Sequence, residues 1–95
     1  MIIIRTFDID CLNPNSTYIG NIATTTTGKT CQGWKDQIPH PHSLAQHPSV
    51  LDADNKCRNP DNNVGGPWCY TTDPDTRWEF CDIPLCSGKI FYQSA

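Results

Sequence analysis

Three residue types in this chain could do chemistry: cysteine, histidine and the large aromatics. Six cysteines stand at Cys11, Cys31, Cys57, Cys69, Cys81 and Cys86, and three histidines at His40, His42 and His47. No two cysteines form a CxxC pair and no Cys/His fork has zinc-finger spacing, so metal ligation is the weaker reading. Six dispersed thiols in so short a chain read instead as three disulfides made in an oxidising compartment, and spacing alone leaves fifteen pairings open. The histidines could serve a triad, which also needs a positioned nucleophile and an oxyanion site; no nucleophile-elbow motif is present. The expectation is no catalytic residue, no metal and no cofactor.

The aromatics are the stronger signal. In Trp68-Cys69-Tyr70 side-chain alternation puts both rings on one face and the cysteine on the other, and in 77–80 it puts Trp78 and Phe80 on one face with Arg77 and Glu79 opposite. The intervening T-T-D-P-D-T is turn chemistry, so the two runs predict a hairpin carrying four rings. Such rings can simply form the core of a small domain. They can also wall a groove, because an exposed tryptophan beside a polar loop marks a binding surface.

The elements that hold these residues are short. No apolar run has helical spacing, so helix content near zero is expected, and N-P-D-N-N-V-G-G-P over 59–67 predicts a long surface loop. Eight prolines and six glycines in 95 residues fit a small disulfide-rich body of loops with short antiparallel strands. Residues 1–10, where Ile4, Thr6 and Asp8 alternate with Arg5, Phe7 and Ile9, form an N-terminal flank that could supply an edge strand. Residues 87–95 read as a tail or linker, which leaves 11–86 as the domain.

A net charge of −3 with no Lys/Arg cluster argues against nucleic acid or an anionic membrane surface as partner and suits cationic ligands better. No apolar run approaches the length of a membrane span, and Ile2-Ile3-Ile4 is too short for a signal-peptide core. A chain of this class is therefore expected to be a segment of a longer secreted or cell-surface protein, monomeric on its own.

The motifs T-T-T-T-G-K-T-C-Q-G-W (24–34), P-H-P-H (39–42), C-R-N-P-D (57–61), G-P-W-C-Y-T-T-D-P (66–74) and R-W-E-F-C-D-I-P-L-C (77–86) together resemble a kringle, most of all the lysine-binding kringles of the plasminogen type. The resemblance covers essentially all of 11–86. It implies the pairing Cys11-Cys86, Cys31-Cys69 and Cys57-Cys81, and a fold without catalysis. It also implies structural roles for His40 and His42, and it leaves His47 in a variable loop as an ordinary satisfied histidine.

Lysine-binding kringles hold an ammonium with two carboxylates, wall the alkyl stem with aromatic rings, and receive a carboxylate on basic residues. Carried over position by position, the resemblance implies Asp61 as the first acid, Trp68 and Trp78 as walls, Tyr70 as floor and Arg77 as one cationic position. The second acidic position is Asn63, and the other basic position falls at Leu44. Loss of one carboxylate is worth roughly 1.5 to 3 kcal/mol, about ten- to a hundredfold in affinity. The 31–57 interval is also short by about two residues against the family pattern, the 11–18 interval by about one, and Lys56 replaces a tyrosine.

The first functional reading is thus a non-catalytic extracellular module that recognises protein surfaces, including exposed or C-terminal lysine, through a partly degraded groove. The second is a spacer kringle with no lysine binding, and the third an inhibitor presenting residues 43–56. Asn15-Ser16-Thr17 is an N-glycosylation sequon, which makes Asn15 a candidate glycosylation site.

Overall fold

In the computed structural model the described residues are 10–13 and 17–86. The flank strand expected in 1–10, the tail 87–95 and the sequon residue Asn15 lie outside them, apart from Asp10 itself. Regular structure is sparse: a 3-10 turn at Pro48–Val50, strand β1 at Trp68–Tyr70 and strand β2 at Trp78–Phe80. The strands pair antiparallel with Trp68 opposite Phe80, Cys69 opposite Glu79 and Tyr70 opposite Trp78. Turn chemistry closes the hairpin as expected, since the Asp75 N–H donates to Asp73 Oδ1 at 2.9 Å and the Thr76 N–H to the Asp73 carbonyl at 3.0 Å. Isolated bridges extend the hairpin on both sides, joining Arg58 to Trp68, Thr25 to Cys81 and Cys31 to Thr71.

One feature of the expected hairpin is corrected. β2 begins at Trp78, so Arg77 precedes the ladder and escapes its alternation. Its guanidinium lies 5.2 Å from the centroid of Tyr70, on the aromatic side, while Glu79 points away and accepts from the Thr27 hydroxyl at 2.8 Å.

The three disulfides pair Cys11 with Cys86, Cys31 with Cys69 and Cys57 with Cys81, as the resemblance implied. Two of them cross at the centre, where Cys31 Sγ and Cys57 Sγ are 3.7 Å apart, and all four sulfurs lie within 4.8 Å of one another. Each is bonded to its partner, so none is available as the thiolate that a metal requires. Around this sulfur knot pack Tyr18, Trp34, Val50, Trp68 and Tyr70, all buried. On the chain-entropy model each closed loop stabilises by roughly 3 to 5 kcal/mol, a large quantity for a body this small, although nested loops do not add.

Buried Gln32 and His40 find their partners locally. Gln32 clasps the 36–40 loop, donating from Nε2 to the His40 carbonyl at 3.0 Å and accepting the His40 N–H at 3.0 Å. His40 Nε2 donates to the Asp73 carbonyl at 2.8 Å and His42 Nε2 to the Trp34 carbonyl at 2.7 Å. Both histidines therefore bolt loops together, as expected. Asp10 belongs to the body as well: the Tyr18 hydroxyl donates to its Oδ1 at 2.5 Å, and the Asn21 N–H to the same oxygen at 2.9 Å.

Candidate functional site

The site grows out of the hairpin and the loop 59–67. Within that loop Asn59 acts as a brace, its Oδ1 accepting the Asn63 N–H at 2.8 Å and its Nδ2 donating to the Asn63 carbonyl at 2.9 Å. Asn62 takes φ of 57° and Gly66 φ of +96°, left-handed positions that asparagine and glycine tolerate best. The loop is thereby folded back so that Asp61 and Asn63 face the ring-bearing hairpin.

Asp61, Asn63, Trp68, Tyr70, Arg77 and Trp78, the six residues carried over above, line one shallow concavity of about 260 Å³. Trp68 and Tyr70 are each only 6% exposed, so they belong to the core and the groove at once, whereas Trp78 is 45% exposed. The rings meet edge to face, Trp68 with Tyr70 at 5.3 Å and Trp68 with Trp78 at 5.8 Å between centroids. Tyr70 is held further by the stacked ring of His42 at 4.3 Å. Trp68 Nε1 is buried without a hydrogen-bond partner among the described residues, so what the indole offers the groove is its apolar surface.

The charged rim holds one residue that the sequence did not point to. Among the described residues Asp61 is the one carboxylate on the concavity, and Asn63 Oδ1 accepts the Gly65 N–H at 2.9 Å, so its side chain serves the loop's own turn. Leu44 does not line the concavity; it lies instead in a crevice with Trp34, His42 and Val50. From the 43–47 segment it is Gln46 and His47 that line the groove, and His47 Nδ1 stands 3.3 Å from Asp61 Oδ1. Sequence reasoning missed His47 because nothing in the residue pattern links positions 47 and 61; the nearest signal is Pro48, which starts the turn that aims it.

A larger concavity of about 590 Å³ lies between residues 31–38 and 51–55. Its lining mixes Lys35 with Asp36, Asp52 and Asp54 and contains no aromatic ring, so it has nothing to wall an alkyl stem. The aromatic groove is the better candidate: an exposed indole, two largely buried rings, one acid and one guanidinium can take a cation at the Asp61 end and apolar methylenes along the rings.

Comparison with known proteins agrees with this architecture. The family model of the kringle domain matches residues 11–86. An apolipoprotein(a)-like protein of Homo sapiens is 47% identical over 88 residues, covering 86% of this chain and 66% of that protein. Plasminogen of Capra hircus is 47% identical over 81 residues, covering 82% of this chain and 65% of the relative. The chain thus spans just under two thirds of the length of these curated relatives. With its three disulfides, its ring-bearing hairpin and a family match across 11–86, the chain belongs to the kringle family.

Proposed function

We propose that this domain is a non-catalytic, extracellular protein-recognition module whose groove receives one lysine or arginine side chain presented by a partner surface. The carrying observation is the half-exposed Trp78 standing beside Asp61 over a floor of Trp68 and Tyr70. A long cationic side chain matches that layout, its methylenes against the indoles and its charge on the single carboxylate. With one acid in place of two, free ω-amino acids bind weakly, and a protein-borne side chain gains from contacts outside the groove. Arg77 adds a cation at the floor that can receive a C-terminal carboxylate.

Titration with 6-aminohexanoate, followed by tryptophan fluorescence and by the amide shifts of residues 68 and 78, tests this reading. Saturable change at both positions supports it. A spacer role is the second reading, favoured by the neutral Asn63 and by an Asp61 already paired with His47. Silence up to tens of millimolar, about the limit of useful side-chain affinity, would favour the spacer.

A further inference from the structure

His47 is fixed against the groove from both sides of the chain. Pro48 opens the 3-10 turn with a φ already suited to it, the Val50 N–H donates to the His47 carbonyl at 3.3 Å, and Val50 is buried in the core. The imidazole meets the edge of Trp68 at 5.8 Å between centroids, and its side chain is only 14% exposed. Held so, its Nδ1 faces Asp61 Oδ1 at 3.3 Å, on the carboxylate that lines the concavity.

That carboxylate is where a ligand ammonium must settle. An alkylammonium keeps its charge to about pH 10, whereas imidazole side chains change charge near about pH 6.5. When the His47 ring is protonated, one negative charge faces two cations, and the ligand meets repulsion where it needs attraction. Among the described residues, the other charged or titratable groups around the ring are Arg77 and Tyr70, which line the same groove, and His42, which shares a crevice with it. Arg77 is charged throughout and contributes a constant background. His42 is committed to the Trp34 carbonyl and to the ring of Tyr70.

We infer that His47 is a specificity-determining residue of the groove, an internal titratable competitor for Asp61 that admits an alkylammonium side chain when neutral and opposes it when protonated. The inference rests on the cation-groove reading proposed above. The pair is partly exposed, so the effect is modest: affinity rises about three- to tenfold between about pH 5.5 and about pH 8.

The probe is Nα-acetyl-lysine methylamide, whose one charge is the ε-ammonium, titrated into the whole chain at both pH values by amide shifts. Wild type should bind about three- to tenfold more tightly at the higher pH, and His47→Gln, neutral at both, should bind alike at both with its low-pH affinity raised. Equal wild-type affinity at the two pH values overturns the inference and leaves the groove standing. A His47→Gln variant that keeps the wild-type pH dependence also overturns it, assigning the effect to His42 or another group. His47→Asn is read in the same way should the glutamine fail to fold. No saturable change in any protein at either pH overturns the groove reading, and the inference with it.

Discussion

Gly65 lies directly against the ring of Phe80: a Cβ added at the glycine would fall 2.4 Å from Phe80 Cζ and 2.7 Å from Cε1. This close approach binds the loop that carries Asp61 to the hairpin that carries Trp78, and Phe80 cannot easily yield because its ring packs edge-on to Trp78 at 5.1 Å. Gly65→Ala is therefore expected to cost about 1 to 3 kcal/mol in chemical unfolding and to weaken cation binding by displacing Asp61. In a Phe80→Leu background the stability cost of Gly65→Ala should shrink. Equal costs in both backgrounds would show that the ring is not what the glycine accommodates.

Asn63 offers a gain-of-function experiment. Its Oδ1 already accepts the Gly65 N–H at 2.9 Å, and an aspartate oxygen can keep that bond while adding a second negative charge to the groove. Asn63→Asp should raise the affinity for 6-aminohexanoate about tenfold with little change in thermal midpoint. Unchanged affinity in a folded variant would mean that position 63 does not face the bound ammonium.

Much of this was legible before any coordinates. The hairpin followed from alternation in W-C-Y and W-E-F and the turn residues between them, and the family resemblance supplied the three disulfides. Composition left open which rings were core and which were surface, because Trp68 and Tyr70 do both jobs while Trp78 alone stands out. The face of Arg77 was misjudged because β2 starts one residue later than the pattern implied. The partnership of His47 with Asp61 was invisible, since it depends on how a shortened loop between the second and third cysteines lies over Trp68. Local pattern reports periodicity within an element; it carries no information on which loop residue meets which across the groove.

The Asp10–Tyr18 contact predicts behaviour at both ends of the pH scale. Burial, reinforced by the hydrogen bond to Asp10, pushes the Tyr18 phenol up to about 12. A folded value above the unfolded value of about 10 means stabilisation that is complete below pH 10 and is lost as pH rises toward 12. The same hydrogen bond, helped by the Asn21 N–H and opposed by burial, lowers Asp10, so its contribution is present above the ordinary carboxylate range and is lost as pH falls through it. Ultraviolet titration of the folded protein should show a late phase from Tyr18, and Tyr18→Phe should abolish it. Because the Tyr18 oxygen also accepts the Ile22 N–H at 3.0 Å, the variant should lose about 1 to 3 kcal/mol. Ionisation of every tyrosine near the ordinary value in the native state would refute the assignment.

The two groove tryptophans should separate stability from binding. Trp68 is buried against Trp34, Tyr70 and Trp78, so Trp68→Ala opens a cavity at the centre of the core and should cost about 3 to 5 kcal/mol, enough to unfold much of the protein. Trp78 is half exposed and packs edge to face with Trp68 and Phe80, so Trp78→Ala should cost about 1 kcal/mol of stability. Its loss removes the exposed wall of the groove and with it a cation–π and apolar contribution, so affinity for an alkylammonium ligand should fall about five- to thirtyfold. Calorimetric unfolding paired with ligand titration of the two variants makes the comparison. A Trp78→Ala protein that binds as well as wild type would remove the one exposed ring from the site, and the groove would then have to be sought on another face of the hairpin.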